Sequence, residues 1–337
     1  MWSIELQGAG SDRLVEVERP VPVPAPGQLL VRLKAASLNY RDLALVRGDY
    51  GSGMRYPFIP LSDGAGEVVA VGAGVTRFAA GDRVIFTMRP EWLEGRPSRQ
   101  AMSRSLGYAL DGVLSEYRLA DQEHVVRTPA HLTDEAAASL PIAAVTAWTA
   151  LVVNGALRAG QWVVLQGTGG VSIFALQFAH HLGARTILLS SSDEKLARGK
   201  SLGADHLINY RTTPQWDEEV VRITGGEGAE HIVDVGGAAT IDRSLSAIRP
   251  GGTIHLVGFL GGMQLQLDLE KVFSRVPILR GLAVGPRSAF EEMNAAIETW
   301  RLEPVIDRIF DRRELAAAFD YMAAGAQFGK IAVRLSE

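Results

Sequence analysis

Residues 162–183 read Trp-Val-Val-Leu-Gln-Gly-Thr-Gly-Gly-Val-Ser-Ile-Phe-Ala-Leu-Gln-Phe-Ala-His-His-Leu-Gly. A short apolar run, Trp162 to Leu165, enters a glycine cluster at Gly167, Gly169 and Gly170. Beyond it Val171, Phe174, Ala175, Phe178 and Leu182 recur at helical spacing. Strand, glycine turn and helix start together form a crevice suited to a pyrophosphate. Gly167 permits the turn, Gly169 lets the backbone approach phosphate oxygens, and the helix start supplies unpaired N–H groups and a positive dipole end. The loop Gly167-Thr168-Gly169-Gly170-Val171 is therefore expected to hold a dinucleotide. The third glycine of the Gly-x-Gly-x-x-Gly pattern is Ser172 here. That position serves helix–strand packing, so a small serine is tolerable.

The surroundings fit the same reading. Thr186–Ser190, His206–Tyr210, Ile232–Val235 and Thr253–Val257 read as further strands, and Asp193–Leu202 as a helix ended by Gly203. Strands alternating with helices imply a parallel sheet with right-handed crossovers. An NAD site would place an acidic residue at the end of the second strand, about 20 residues past the glycines, for the ribose 2′-hydroxyl. Ser190, Ser191 and Ser192 stand there, so a 2′-phosphate meets no negative charge. Asp193 is the counter-argument: it is a candidate to reach the ribose, or simply a helix cap.

The chain has 337 residues, 47% of them apolar and 21% charged, which fits a globular protein of two domains. A net charge of −4 gives no basic footprint for nucleic acid. There is no cysteine, which excludes disulfides, thiol nucleophiles and thiolate metal sites. Ala136–Val153 is the most apolar long stretch, but Pro141 interrupts it and Asp134 and Glu135 flank it, so buried helices are expected rather than a membrane span. The opening Met-Trp-Ser-Ile-Glu-Leu lacks the basic and apolar regions of a signal peptide, and a cytoplasmic location is expected.

Residues 1–126 look β-rich, with strands over Leu29–Ala36, Glu67–Val71 and Arg83–Phe86. Four prolines in Pro20–Gly27 suggest an extended connector. Thr133 before Asp134 and Glu135 marks a helix start. Glu291–Trp300 and Glu314–Ala323 read as helices and Lys330–Leu335 as a last strand.

Several stretches together resemble the medium-chain dehydrogenase/reductase superfamily. They are Ser37-Leu38-Asn39-Tyr40-Arg41-Asp42, Pro60-Leu61-Ser62-Asp63-Gly64-Ala65-Gly66, Ala80-Gly81-Asp82-Arg83-Val84, Leu140-Pro141, the glycine loop and Phe328-Gly329-Lys330. The resemblance covers nearly the whole chain. It implies an α/β architecture: a GroES-like β-rich catalytic domain over 1–126 and 291–337, plus a Rossmann doubly wound parallel-sheet nucleotide-binding domain over 127–290, with the active site in the cleft separating them. It also implies a homodimer joined through an edge strand, for which Ile278–Val284 is the candidate.

Many relatives hold a catalytic zinc through cysteine and histidine. Here the matching positions are Asn39, Ser62-Asp63 and Ile142, and the first histidine in the chain is His124. Isoleucine cannot ligate a metal, and zinc favours nitrogen and sulfur donors. The chain thus resembles the zinc-independent branch of quinone oxidoreductases and enoyl or alkenal reductases, which implies NADP(H), no zinc, and a small-molecule substrate. Gly48-Asp49-Tyr50-Gly51 looks like the stretch that carries the catalytic tyrosine of 2-enoyl thioester reductases. Tyr50 is the candidate proton donor; packing at a cleft rim is its other reading. Asn39 is a candidate to orient the nicotinamide or a substrate carbonyl, and Asp42 to support the loop. Thr146 matches a nicotinamide-contacting threonine, and Lys195 and Tyr210 match contacts to the 2′-phosphate; a solvated lysine and a threonine bonded within its own helix are the alternatives. Gly236, after the fourth strand, and Gly258, Phe259 and Leu260, after the fifth, are candidates to line the nicotinamide; turn formation alone also calls for the glycines. Lys330 is a candidate to reach the cofactor. The long stretch Thr87–Asp111, with Trp92, Arg89, Arg96, Arg99 and Arg104, is either a substrate-touching loop or a solvated one. The expected reaction is reduction of a quinone or α,β-unsaturated carbonyl. Alcohol or aldehyde oxidoreduction, and a coenzyme-binding redox sensor with little turnover, are the rivals.

Overall fold

The computed structural model describes residues 1–50 and 54–336. The chain divides into two compact units, Met1–Val145 with Val284–Glu337, and Thr146–Ala283. The β-rich unit is interrupted in sequence, with the second unit inserted between Val145 and Val284. The physical reason lies in side chains. Arg83 pairs with Asp134 at 2.6 Å and Ser37 Oγ donates to the Ala138 carbonyl at 2.9 Å, which ties 128–145 to the first unit. The Arg287 and Ser288 N–H groups donate to the carbonyls of Trp92 and Leu93, both at 2.9 Å, which does the same for the start of the helix Arg287–Trp300.

The first unit opens with an antiparallel pair, β1 (Trp2–Leu6) and β2 (Leu14–Glu18). Pro20–Pro26 follows without regular structure. The eleven-residue β3 (Gln28–Leu38) is the spine of the main sheet. Its antiparallel neighbour on one side is β4 (Asp63–Val71), which leads on to β5 (Arg83–Phe86). The other edge of β3 is shared. Its first half pairs β6 (Tyr117–Asp121). A short β7 (Val125–Arg127) closes on β5. Leu29, Val31, Leu33, Leu38, Val68, Val84 and Phe86 fill the core between the strands. Thr133 caps the helix Asp134–Ala138 by accepting the Ala136 N–H at 3.2 Å. From Leu140 to Asn154 the chain runs on through wide helical turns, with Pro141 at the start of the first. This stretch is largely buried, and among the described residues no helix is long and apolar enough to cross a membrane.

The second unit is a parallel sheet of β8 (Trp162–Gln166), β9 (Arg185–Ser190), β10 (His206–Asn209), β11 (Ala229–Asp234), β12 (Ile248–Leu256) and β13 (Ile278–Gly281). All five pairings are parallel, in the order β10-β9-β8-β11-β12-β13. Numbered within the unit this is 3-2-1-4-5-6, the doubly wound order whose direction switches beside its first strand. A ligand crevice therefore belongs at the C-terminal end of β8. Both sheet faces are covered: Ile232, Ile254, Ile187, Trp216, Val220 and Leu245 pack in one layer, and Trp148 meets Phe178 edge-on at 5.4 Å elsewhere in the unit. The chain then returns to the first unit with β14 (Ile306–Asp311), the helix Leu315–Ala323 and β15 (Lys330–Arg334). β15 pairs antiparallel with the second half of β3, Ile331 opposite Leu38.

Candidate functional site

At the end of β8 the chain makes the glycine turn. Gly167 has φ +72°, a left-handed value, and its N–H donates to the Leu189 carbonyl at 2.8 Å, so the turn is fastened to β9. Gly169 is the N-cap of the helix Gly170–His181 and brings no side chain to the first-turn N–H groups. A Cβ there would meet no heavy atom within 4 Å. Open space before unpaired N–H donors at a helix start is an anion cradle, and Thr168, Gly170 and Val171 complete its wall. Ser172 explains the missing third glycine: it is 1% exposed and its hydroxyl donates to the Gln166 carbonyl at 2.7 Å, stitching helix to strand. These residues fit a dinucleotide pyrophosphate.

The second and third strands end beside this turn. The Tyr210 N–H donates to the Ser190 carbonyl at 3.1 Å, which brings Ser190, Ser191 and Tyr210 together. Ser192, not Asp193, caps the next helix by accepting the Lys195 N–H at 3.3 Å, so Lys195 sits in that helix's first turn. The Asp193 carboxylate accepts from Asn209 Nδ2 at 2.7 Å.

Asp234, at the end of β11, is fully buried, and the sequence reading did not single it out. One carboxylate oxygen accepts from the Gly236 and Gly237 N–H groups at 3.1 and 2.9 Å and from the Thr240 hydroxyl at 2.7 Å. The other accepts from Ser244 at 2.6 Å and from Gln166 Nε2 at 3.1 Å. The carboxylate thus fixes the loop after β11 and ties it to the strand that feeds the glycine turn. The loop after β12 zips onto it, Leu260 N–H to Val235 carbonyl at 3.3 Å and Gly261 N–H to Gly236 carbonyl at 2.7 Å. A Cβ on Gly236 would lie 2.5 Å from Thr240, and one on Gly258 2.6 Å from the Val235 carbonyl. Loop packing alone therefore accounts for both glycines. Phe259 and the exposed Leu260 lie on this double loop, and Thr146 is buried in the helix Val145–Trp148.

In the first unit the strand β15 brings Lys330 opposite the end of β3. Lys330 is 3% exposed; its ammonium donates to the Leu38 carbonyl and to Asn39 Oδ1, both at 2.7 Å, and lies 3.5 Å from Asp63 Oδ2. The same Asp63 oxygen accepts from Asn39 Nδ2 at 2.9 Å, Ser37 Oγ at 3.2 Å and the Ile142 N–H at 3.4 Å. Asp42 accepts the Asn39 N–H at 2.9 Å, which is the loop support expected of it. Burial pushes the Asp63 carboxyl up against the opposing pull of Lys330, and pushes Lys330 down against Asp63 and Asp42. Asp42 is pushed up to about 6, by burial first. The three contacts of the Lys330 ammonium thus lie inside this cluster, with Asn39 as its side-chain hydrogen-bond partner. Asn39 itself is partly exposed.

Arg41 fans out from the next helix to Ser62 Oγ at 3.1 Å, the Leu106 carbonyl at 3.0 Å and Ser105 Oγ at 3.3 Å. Its guanidinium carbon also lies 5.4 Å from the Tyr50 ring, whose edge-on neighbour at 5.8 Å is Tyr108. Tyr50 is thus seated among Arg41 and Tyr108, neither of which the sequence reading assigned a role; Gly51 of the same stretch lies outside the described residues. The 87–111 loop is largely self-braced. Trp92 Nε1 donates to the Gly95 carbonyl at 2.9 Å, Arg104 pairs with Glu91 at 2.5 Å, and Arg89 bonds the Met102 carbonyl.

The three positions that match metal ligands do not suit zinc. Asn39 Oδ1 faces an ammonium, Ser62 Oγ accepts from a guanidinium, and Ile142 offers only its peptide N–H. A dication there would meet two fixed positive charges, a single carboxylate, Asp63, already engaged with Lys330 and Asn39, and no histidine or cysteine. Among the described residues no group of three or more His, Cys, Asp or Glu is placed to hold a metal.

Two family descriptions match the chain: "Alcohol dehydrogenase GroES-like domain" over residues 25–130 and "Zinc-binding dehydrogenase" over residues 170–299. A zinc-type alcohol dehydrogenase-like protein of Schizosaccharomyces pombe is 39% identical, covering 97% of this chain and 96% of its own. The crystal structure of a putative alcohol dehydrogenase from Sinorhizobium meliloti superposes with TM-score 0.93 at 41% identity, covering 99% of this chain and 98% of its own. A mycobacterial protein solved in complex with NADPH superposes with TM-score 0.82 at 26% identity, covering 99% of both chains. Other relatives carry the names acryloyl-coenzyme A reductase and quinone oxidoreductase. The glycine turn, the doubly wound sheet and the interrupted β-rich unit all agree with these likenesses, and the chain belongs to the medium-chain dehydrogenase/reductase superfamily.

Proposed function

We propose that the protein is a zinc-independent, NADPH-dependent oxidoreductase that reduces a quinone or an α,β-unsaturated carbonyl compound. The observation that carries this reading is the Lys330–Asn39–Asp63 cluster with Arg41: organic cations and amides stand where a metal-dependent site would need soft donors. Reduction of a carbonyl-activated acceptor then relies on hydrogen-bond donors and a proton source from side chains.

When bound, the reduced nicotinamide supplies the hydride equivalent. The 167–171 turn and the start of its helix hold the pyrophosphate. Ser190, Ser191, Lys195 and Tyr210 receive the adenosine end, where the absence of a carboxylate at position 190 and the engagement of Asp193 with Asn209 favour a 2′-phosphate. Thr146, Phe259 and Leu260 are assigned to the nicotinamide end, with Gly236 and Gly258 shaping their loops. Asn39 offers its amide to the acceptor oxygen, and Tyr50 gives up a proton to the reduced acceptor, balancing the hydride. The NADPH complex of the mycobacterial neighbour and the reductase names among the relatives support the coenzyme and the acceptor class. The alcohol dehydrogenase names favour alcohol or aldehyde oxidoreduction as the second reading.

A homodimer joined through β13 belongs to the same proposal. β13 ends the sheet, and beside it Leu269, Phe273, Val276 and Ile278 are 61%, 74%, 68% and 47% exposed.

The test is consumption of NADPH and NADH across a panel of quinones, enones and simple aldehydes, with metal content measured on the same preparation. Turnover of quinones or enones without stoichiometric metal supports the proposal; stoichiometric zinc with alcohol oxidation overturns it in favour of the second reading. Ser190→Asp checks the coenzyme assignment: the ratio of NADPH to NADH affinity should fall at least tenfold by titration, and an unchanged ratio removes Ser190 from the adenosine end.

A further inference from the structure

The orientation of the Asn39 amide is not left to chance. Its oxygen lies 2.7 Å from the Lys330 ammonium and its nitrogen 2.9 Å from the Asp63 carboxylate. Rotating the amide by half a turn would set an NH2 against an ammonium and a carbonyl against a carboxylate, losing two charge-assisted hydrogen bonds for two repulsions. The charges on either side therefore dictate the sense of the dipole. Lys330, Asp63, Asp42 and Ser37 are all buried at 3% exposure or less, while Asn39 reaches partial exposure. Among the described residues the second amide hydrogen has only the Asp42 carboxylate at 3.5 Å, the outer limit of a hydrogen bond.

The placement of Lys330 is also a matter of topology. β15 is the last strand of the chain, and its pairing of Ile331 with Leu38 puts Lys330 opposite Asn39, where β3 ends and the helix Tyr40–Arg47 begins. The ammonium bonds the Leu38 carbonyl at that junction as well. A cation delivered from 291 residues away holds one exposed amide in one sense.

We infer that Lys330 is a positioning residue: paired with Asp63, it fixes the Asn39 amide so that an N–H, and not a carbonyl, is presented to the oxygen of the acceptor. The inference rests on the reduction proposed above. It assigns Lys330 no contact with the acceptor or the coenzyme; its effect passes through Asn39.

Removing Lys330 alone strands the Asp63 carboxylate, so the informative variant is Lys330→Met with Asp63→Asn, which removes both charges and keeps similar volume. Its melting temperature and its NADPH dissociation constant, read by fluorescence titration, are expected to stay near wild type, because the coenzyme cradle lies in the other unit. With 1,4-benzoquinone and a crotonyl thioester as acceptors, kcat should fall at least tenfold. The decisive measurement is the cycle with Asn39→Ala: if Lys330 acts through Asn39, the paired substitution costs less than a further twofold in that background. Losses that multiply in the Asn39→Ala background overturn the inference, as does wild-type kcat in a folded Lys330→Met/Asp63→Asn protein. Should the paired variant fail to fold, Asn39→Asp decides. It keeps the shape of the side chain and the contact to Lys330 but replaces the N–H donor with an oxygen set against the Asp63 carboxylate, so kcat should fall at least tenfold with NADPH binding intact, and wild-type kcat overturns the inference. A wild-type protein that reduces neither acceptor class sinks the functional reading and the inference with it; every other adverse outcome sinks the inference alone.

Discussion

The candidate coenzyme cradle of the second unit offers peptide groups to a ligand: a left-handed glycine, a side-chain-free N-cap and the N–H groups of a helix start. The candidate acceptor cluster of the first unit presents side chains, and these come from β3, the helix cap Asn39, β4 and the final strand. A backbone site is specified by local sequence, because turn and helix start follow from a few adjacent residues. A side-chain site of this kind is specified by strand order and register. The two also treat charge differently. In the second unit the buried carboxylate of Asp234 lies among neutral donors, whereas in the first the buried carboxylate of Asp63 lies beside an ammonium.

The largest expected effect tests the backbone side of that contrast. Asp234→Ala removes an acceptor shared by two peptide N–H groups, two hydroxyls and an amide, and leaves the Gly236 and Gly237 N–H groups and the Ser244 hydroxyl short of an acceptor. Stability should fall by about 4 kcal/mol, the scale of emptying a buried charged hydrogen-bond network. Urea unfolding monitored by tryptophan fluorescence measures it. A loss below about 1 kcal/mol would mean that the strand-end loops hold themselves, and that the cradle is backbone-made throughout.

Tyr50→Phe tests the side-chain site. The substitution removes only the hydroxyl, and the ring keeps its contacts with Arg41 and Tyr108. Turnover should drop about 100-fold, within the usual range for loss of a general acid, while the NADPH dissociation constant stays the same. Unchanged kcat assigns Tyr50 to packing, and the first unit's chemistry then falls to Asn39 alone.

These two sites were not equally legible in the sequence. Strand, turn and helix at 162–183, the serine cluster at 190–192 and the order of the following strands could all be read in advance, because period and glycine placement are local signals. Asn39 and Lys330 were each marked, but their meeting was not foreseen: nothing within either stretch encodes that β15 lies against the end of β3. Arg41 and Tyr108 were missed for the same reason, since their partners lie 21 to 65 residues away or in the braced loop. Asp234 carried a faint local signal, an acid closing an apolar strand before two glycines, which read as an ordinary strand end. Ion pairs and hydrogen bonds between distant residues, not composition, bind 128–145 and 284–290 to the first unit, and no local stretch encodes them.

A buried pair without compensating charge offers a third contrast. His231 and His255 stack on neighbouring strands with ring nitrogens 3.3 Å apart. Burial first, then His231 and Arg280, push His255 down to about 3 from an ordinary 6.5. The folded protein thus holds it neutral while the unfolded chain takes up a proton below 6.5. Its contribution is complete above that pH and is lost as the pH falls toward 3. At pH 5 the loss should be about 2 kcal/mol, at 1.36 kcal/mol per pH unit. Urea unfolding at pH 7 and pH 5 should show it, and His255→Phe should flatten the slope. An equal slope in that variant would place the acid sensitivity on other groups.

The smallest effect is the most selective. Gly169 has φ −78°, ordinary for any residue, and a Cβ added to it meets nothing within 4 Å. Gly169→Ala should therefore leave the melting temperature within a degree or two of wild type. Yet the methyl group would stand in the space assigned to the pyrophosphate, so NADPH affinity should weaken about tenfold, or 1.4 kcal/mol. Gly167→Ala provides the control. Its φ of +72° penalises any side chain, so it should lose roughly 1 kcal/mol of stability whether or not coenzyme is present. If Gly169→Ala bound NADPH as tightly as wild type in a calorimetric titration, the phosphates would not lie over this turn, and the contrast between a backbone-made and a side-chain-made site would lose its first half.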